Sequence, residues 1–295
     1  MLIGIDIGGT KIEAVAIDDD STVLATSRAP VRPGPEGITS GALDAVDELT
    51  RAVARPVESI GIGVPGAIRQ GVVRHARNLF IESLDLEAAV ASATGAPVRV
   101  TNDVNAAALG AWRLSGAASS AFAYLNLGTG MAAGLVLDGQ LWEGARGLAG
   151  EIGYLSVDPH GPAHVEGLAG SLEAYASGSG VVARWGVDGA TAVDVFCAAT
   201  AGDRRAIAIR DGVYFGAASA VRMLALSYDT DTVVIGGGLT GLGRELSDGM
   251  ASHFDAWSEA SPFIASLELG RITRLLDDER PVHAIGAAML GGCRG

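Results

Sequence analysis

Apolar and polar positions alternate along this chain in short blocks. Leu2-Ile3-Gly4-Ile5 and Ile12 to Ile17 are apolar runs of strand length, and between them lies Asp6 to Lys11, DIGGTK. Runs this short, bounded by glycine and by the acidic turn Asp18-Asp19-Asp20, predict two strands around a tight turn. The arrangement recurs about 120 residues later. Phe122 to Asn126 is apolar, Leu127-Gly128-Thr129-Gly130 is a Gly/Thr turn, Met131 to Leu137 is apolar again, and Asp138-Gly139 closes the unit. That separation is far longer than a solenoid repeat. It points instead to two domains of related architecture, each offering one glycine turn.

The remaining pattern alternates strands with helices. Ser21 to Arg28, Glu58 to Val64, Gly71 to His75, Val98 to Thr101 and Thr232 to Ile235 read as extended. So do Ser266 to Leu269 and Ile272 to Leu276. Helical spacing runs through Ile38 to Val53, with Leu43, Val46 and Leu49 on one face, and through Leu84 to Thr94, which stops at Gly95. The Ala-rich stretch Val104 to Leu114 follows the same spacing, as do Leu172 to Ser177, Ala190 to Ala199, Arg204 to Tyr228, Leu242 to His253 and His283 to Leu290. The class is α/β. A boundary near Gly116 divides residues 1–116 from 117–281, with a closing helix in 282–295.

A length of 295 residues allows two sizeable cores. The net charge of −13 opposes a nucleic-acid partner, which would demand a basic patch. It also means that an anion such as ATP must be held locally, by backbone N–H groups and a metal. Lys11 is the only lysine. Cys197 and Cys293 are far apart and lack ligand spacing, which suggests a reducing cytoplasm and no disulfide framework. No signal-type segment or apolar run of membrane-spanning length is present, so no membrane partner is expected.

Several polar residues interrupt this pattern where chemistry is plausible. Gly8 and Gly9 let the first turn present N–H groups to an anion, Thr10 adds a hydroxyl and Lys11 a charge. Asp6 stands in an apolar strand, where a carboxylate is costly unless something pairs with it. Asn102-Asp103 falls at a strand's carboxyl end just before a helix, where open α/β sheets place ligands. An Asp there can simply cap the helix. It can equally act as a general base on a hydroxyl, with Asn102 holding a neighbouring hydroxyl. Glu151 lies between two glycines and Glu173 near a helix start, where the dipole alone would account for it. With Asn78 and Asp103 these carboxylates form a set of acceptors able to grip one sugar ring. Two segments match GxGxxG. Gly61 to Gly66 lacks a following helix, whereas Gly236-Gly237-Gly238 onward follows a strand and suggests close approach to a nucleotide.

Taken together these motifs resemble the ROK family (repressor, open reading frame, kinase), and the likeness covers nearly the whole chain. DIGGTK and LGTG resemble its two phosphate motifs, GIGVPG its turn between strands, and NDVNAAA from Asn102 its NDxNAAA signature. GLAGEIG (Gly147 to Gly153), GSLEAYAS (Gly170 to Ser177) and VIGGG (Val234 to Gly238) resemble its sugar-site and adenosine segments. The resemblance implies a two-lobed, actin-like (ribonuclease-H-like) fold with a central cleft, the closing helix packing on the first lobe. It implies a cytoplasmic, homodimeric kinase using ATP and magnesium on the primary hydroxyl of a hexose or N-acetylhexosamine, glucose first and N-acetylmannosamine next. Asp103 is then the base, and Asn78, Asn102, Glu151, Tyr154 and Glu173 bind the sugar. Asp6 organises magnesium through water. Gly8, Gly9, Thr10, Lys11, Gly128, Thr129 and Gly130 face the phosphates, and Gly236, Gly237 and Gly238 face the adenosine.

One departure stands out. Most members of the family carry a structural zinc site, EIGH followed by CxCGxxGCLE. Here EIGY ends in Tyr154, and the cysteine positions read His164, Glu166 and Ser171. Ser and Tyr make a poor ligand set, so no zinc is expected, and Tyr154 is expected to alter which sugar fits. Three other readings fit the sequence less well. A sugar-responsive repressor needs a DNA-binding domain for which residues before Asp6 leave no room, a nucleotide-dependent oxidoreductase has no use for the Asn-Asp pair, and an inactive kinase-like protein would not need Asp103.

Overall fold

The computed structural model describes residues 1–116, 119–163, 168–277 and 280–292. In the first half the strands are β1 (Leu2–Ile7), β2 (Lys11–Ile17), β3 (Val23–Pro30), β4 (Ser59–Val64), β5 (Ala67–Arg69), β6 (Val72–Ala76), β7 (Ile81–Asp85) and β8 (Val98–Asn102). Its helices are α1 (Pro35–Val53), α2 (Leu86–Thr94) and α3 (Asp103–Leu114). The second half holds β9 (Ala121–Leu127), β10 (Met131–Leu137), β11 (Gln140–Leu141), β12 (Thr232–Gly236) and β13 (Thr273–Leu275). Its helices are α4 (Leu172–Ala176), α5 (Gly178–Trp185), α6 (Ala192–Thr200), α7 (Arg204–Tyr228), α8 (Arg244–Ala260), α9 (Pro262–Ala265) and α10 (Leu269–Ile272), and α11 (Val282–Gly292) closes the chain.

The repeated hairpin is the visible part of a larger repetition. One sheet runs β3-β2-β1-β4-β8 and the other β11-β10-β9-β12-β13. In each, an antiparallel three-stranded meander is extended by two parallel strands. The two sheets therefore share one strand order and one set of directions, as expected of the two-lobed actin-like architecture. The first half adds a small antiparallel sheet, β5-β6-β7, between β4 and β8.

Each sheet has its own core. Ile3, Ile5, Ile60 and Ile62 are completely buried in the first, against Ile38 and Leu49 of α1. Leu125, Leu127, Val233 and Ile235 are buried in the second, against Val213, Ala217 and Leu224 of α7. Each such side chain contributes roughly 1.5–3 kcal/mol relative to an exposed one. A third cluster lies where α3 meets the second sheet, joining Val104, Ala107, Ala108 and Ala111 to Phe122, Tyr124, Val136, Val234 and Val282. The run of alanines in α3 is what lets it lie this close, and a Cβ on Gly134 of β10 would stand 2.6 Å from that of Ala108.

Helix α11 returns to the first sheet and packs on β1, β4 and α3. Its approach is backbone to backbone. A Cβ on Gly4 would lie 1.8 Å from the Ala284 carbonyl oxygen, and one on Gly61 would lie 1.7 Å from that of Ala287. Gly61, the first glycine of GIGVPG, thus serves helix packing.

The structure differs from the sequence reading in a few elements. Helix α2 begins at Leu86, because Asp85 caps it through Ala88 N–H at 3.0 Å, and residues 81–85 form β7 instead. Helix α5 opens on Gly178-Ser179-Gly180, poor helix formers, and is started by the Ser177 cap. Of the two extended pieces expected at Ser266 to Leu269 and Ile272 to Leu276, the first is not a strand and the second is the short β13, with α10 over Leu269–Ile272 taking residues from both. No described helix is long and apolar enough to cross a membrane.

Candidate active site

Strand β8 hands over to helix α3 at Asn102 and Asp103. Asn102, with extended backbone, is the N-cap: its Oδ1 accepts the N–H of Val104 at 2.8 Å and that of Asn105 at 3.4 Å. Its Nδ2 donates to the Gly66 carbonyl at 3.3 Å, which ties the helix start to the turn after β4. The cap is thus made by Asn102, and the carboxylate of Asp103 adds a contact to the N–H groups of the same helix start.

Neighbouring parallel strands bring Asp6 to the same place. Asp6 lies opposite Gly63, which lies opposite Thr101. A Cβ on Gly63 would be 3.9 Å from Asp6 Oδ1 and 3.5 Å from Asp103 Cα, so the missing side chain keeps open the space between the two acids. Burial raises the Asp6 carboxyl to about 7, with Glu13 adding to the rise and Lys11 opposing it. Burial and then the charge of Asp6 hold the Asp103 carboxyl above the ordinary carboxylate range, against the pull of His283 and of backbone N–H groups. Two acids packed this closely leave negative charge that favours a cation. That chemistry fits a divalent cation such as magnesium.

The two glycine turns are fixed by their own neighbours. In the first, Gly8 N–H donates to the Lys11 carbonyl at 2.9 Å. The N–H groups of Gly9 and Thr10 find no backbone acceptor among the described residues. Lys11 pairs with Glu13 at 2.8 Å. In the second, Gly128 N–H donates to the Gly130 carbonyl at 3.1 Å. The carbonyls of Gly128 and Thr129 accept the N–H groups of Gly178 and Ser179, at 2.8 and 3.0 Å, so the start of α5 braces this turn. In both turns, then, N–H groups are left without a backbone acceptor among the described residues: those of Gly9 and Thr10 in the first, those of Thr129 and Gly130 in the second.

A cleft of about 690 Å³ lies between the halves. Asn78, with His75, Arg77 and the Pro65–Ala67 turn, lines one wall, and Leu148, Glu151, Tyr154 and Glu173 line the other. It adjoins both turns: a Cβ on Gly9 would lie 4.0 Å from that of Asn78, and one on Gly130 would lie 2.8 Å from Glu173 Oε2. Glu173 Oε2 also accepts the N–H of Met131 at 2.8 Å, which fixes its carboxylate against the second turn. The carboxyl of Glu151 is raised by the crowding of the cleft walls, then by Asp103 and Glu173. Asn78, Glu151, Tyr154 and Glu173 are thus brought together. Asn102 and Asp103 are not wall residues of the cleft, which Asn102 meets through Gly66 and Asp103 through its field on Glu151. A larger hollow, about 810 Å³, lies by the far end of α3 beside Arg113 and Leu114 and is lined by none of the candidate site residues.

The third glycine cluster has a packing role of its own. A Cβ on Gly236 would meet the Tyr124 hydroxyl at 2.0 Å, and one on Gly237, at φ +90°, would meet the Leu127 carbonyl carbon at 2.5 Å. Only at Gly238 is the space open. Two buried groups beneath the site escaped the sequence reading. The ring of His283, from α11, stands edge-on to that of Tyr124 with centroids 6.2 Å apart. Burial lowers the His283 pKa, opposed by Asp103 and Glu13. Burial raises the Tyr124 phenol, reinforced by Asp103 and Asp6. Neither residue has a spacing that would have marked it in the sequence.

Two positions of the family's zinc motif are engaged otherwise. Ser171 is fully buried, and its Oγ caps α4 by accepting Ala174 N–H at 3.2 Å. Tyr154 faces the cleft. His164 and Glu166 lie outside the described residues, as does Cys293. Among the described residues no group of three or more His, Cys, Asp or Glu is placed to hold a metal. A buried serine spent on a helix cap does not fit a zinc ligand set.

Comparison with known proteins agrees with this geometry. The sequence profile of the ROK family matches residues 2–290. A glucokinase of Halalkalibacterium halodurans is 32% identical over 94% of this chain and 91% of its own. An N-acetylmannosamine kinase of Citrobacter koseri is 32% identical over 80% of this chain and 82% of its own. The crystal structure of a ROK glucokinase from Streptomyces griseus in complex with glucose and AMPPNP superposes with a TM-score of 0.76 at 28% identity, covering 99% of each chain. With its profile matched from end to end and its two five-stranded sheets sharing one strand order, the chain belongs to the ROK family.

Proposed function

We propose that this protein is an ATP-dependent kinase that phosphorylates the primary hydroxyl of a hexose, glucose first among them, with Asp103 as the general base. The observation that carries the reading is that Asn102 is the N-cap of α3, so that the neighbouring Asp103 carboxylate, buried next to Asp6 and held by backbone N–H groups, stands beside a cleft lined with hydroxyl-binding groups. In this scheme Asn78, Glu151, Tyr154 and Glu173, together with the spare N–H of Asn102, hold the sugar. Asp103 accepts the proton of the primary hydroxyl as that oxygen bonds to the γ-phosphorus. The bond to the β–γ bridging oxygen breaks, and ADP leaves. The N–H groups of Gly9, Thr10, Thr129 and Gly130 face the phosphates, Lys11 adds charge, and Gly238 has room for the adenosine side. Asp6 would hold magnesium through water, and the metal supplies neutralisation of the phosphate charge. Phosphoryl transfer is mostly positioning and electrostatics, so a carboxylate near a bound hydroxyl is the main chemical demand on the chain.

A second reading is an N-acetylmannosamine kinase. It is supported by the relative of that name and by Leu148 and Tyr154, exposed apolar groups on the cleft wall that suit an acetyl methyl. An ADP-release assay over hexoses and N-acetylhexosamines separates the two. Turnover with glucose above N-acetylmannosamine supports the first reading and the reverse supports the second. No turnover with any sugar, at saturating ATP and magnesium, contradicts both.

A further inference from the structure

Tyr154 and Glu173 both reach the sugar cleft, yet eighteen residues of chain lie between them. Of it, residues 155–158 and 169–172 lie side by side as a narrow ribbon. Leu172 N–H donates to the Leu155 carbonyl and Val157 N–H to that of Gly170, each at 2.9 Å, and Ser156 and Ser171 form an antiparallel bridge. Tyr154 thus enters the ribbon and Glu173 leaves it. A ribbon of two short strands is marginal alone, and its register decides where both side chains point.

Among the described residues its outer part is tied to the lobe by a side-chain bond. The Tyr175 hydroxyl donates to Asp158 Oδ2 at 2.8 Å, while Asp158 Oδ1 accepts His160 N–H at 2.9 Å. Tyr175 is anchored in turn. Its ring meets Phe215 of α7 edge-on at 5.4 Å, the Arg184 guanidinium stands 5.7 Å over its face, and Arg184 donates to its carbonyl. Burial, and then the bond to Asp158, pushes the phenol up to about 12, so it stays a donor at neutral pH. Glycines clear the way for the contact. A Cβ on Gly161 would lie 2.6 Å from the Tyr175 hydroxyl, and one on Gly170, at φ +64°, would lie 1.6 Å from the Asp158 carbonyl oxygen.

We propose that Asp158 and Tyr175 are positioning residues of the sugar site: their hydrogen bond fixes, without a metal, the ribbon that aims Tyr154 and Glu173 into the cleft. The proposal rests on the sugar-kinase reading for its kinetic consequence and on the loop geometry alone for its structural one. Tyr175→Phe keeps the ring packing and removes only the donor, and Asp158→Asn weakens the acceptor.

The test compares both variants with the parent protein in two ways. Kinetics are measured with glucose or N-acetylmannosamine, whichever turns over, and amide hydrogen exchange is followed at Val157 and Leu172. The expected result is a rise in sugar KM of about 3- to 10-fold, the range for one lost hydrogen bond. The KM for ATP and the melting temperature should stay near those of the parent, and both amides should exchange faster. Dialysis against EDTA, with magnesium restored, should change nothing in the parent. Unchanged exchange and sugar KM in both variants would overturn the proposal, as would a chelator that loosens the parent's ribbon to the variants' level. If the parent phosphorylates no sugar, the kinase reading fails, and the exchange comparison still decides whether the bond holds the ribbon.

Discussion

Asn102 and Asp103 divide between them two tasks that a single residue often performs at a helix start. The Asn102 side chain accepts the N–H of Val104 at 2.8 Å, and the adjoining Asp103 carboxylate, at the first helical position, is spared the cap. Replacing Asn102 by Ala should cost about 1 kcal/mol of stability, as for other lost N-caps. It should also loosen Asp103. Urea unfolding checks the first effect. Asn102→Ser, which restores an acceptor, should recover most of the stability but not the bond to Gly66.

The acidic floor has a pH signature. Asp6 titrates near 7 in the folded protein against an ordinary 3.8. Between those values the folded protein holds a proton that the unfolded chain has released, so this contribution is complete below about pH 4 and is lost as pH rises toward 7. The magnesium-free protein should therefore lose stability across that window. Asp6→Asn should flatten the slope, as should added magnesium, which favours the ionised carboxylate. Thermal melts at stepped pH, with and without magnesium, measure this.

The same floor places a limit on catalysis. A base must be ionised to accept a proton, and burial and Asp6 hold Asp103 above the ordinary carboxylate range. The acid limb of kcat/KM should fall at a pH higher than a free aspartate would give. A pH–rate profile with its limb at the ordinary value would contradict the environment described for Asp103.

Backbone contact under α11 is expected to tolerate no added carbon. Gly4→Ala and Gly61→Ala each place a Cβ within 2 Å of a helix carbonyl. Each should cost 1–3 kcal/mol or more, the usual range for overpacking a filled core. Gly95→Ala, at a site with no atom within 4 Å but with φ +71°, tests strain without a clash. Urea denaturation of the three variants separates the two effects.

The buried Tyr124 hydroxyl has no hydrogen-bond partner among the described residues. Tyr124→Phe should accordingly leave stability unchanged or raise it slightly, since no bond is lost and a desolvated polar group is removed. Tyr124→Ala should cost about 3–5 kcal/mol through the cavity it leaves. Calorimetry of the pair would show whether the ring or the hydroxyl matters.

Much of this site could be read from the sequence because its residues violate the pattern around them. Asp6 breaks an apolar strand, paired glycines break two hairpins, and Asn102-Asp103 ends a strand abruptly. The two hairpins also announced the repeated sheets. What stayed hidden depends on long-range packing. Gly4, Gly61 and Gly236 are indistinguishable in sequence from ligand-facing glycines, and only the position of α11 or Tyr124 reveals what they meet. His283 sits in an Ala/Gly-rich helix that gives no hint of the distant strand whose Tyr124 ring it meets. Strand β7 has no strand-like apolar run, because Glu82 and Ser83 are polar and exposed in the middle of it. The Asp158–Tyr175 bond joins a polar loop to a helix that was legible in the sequence, but nothing in the spacing of the two residues announced their contact.

The central claim is that Asp103 takes the proton of the sugar's primary hydroxyl. The direct measurement is steady-state turnover and equilibrium sugar binding for Asp103→Asn beside the parent protein. The account predicts a loss of kcat of about 10²- to 10⁴-fold, the usual worth of a general base, with the sugar Kd changed by only a few fold. Turnover equal to that of the parent would contradict it.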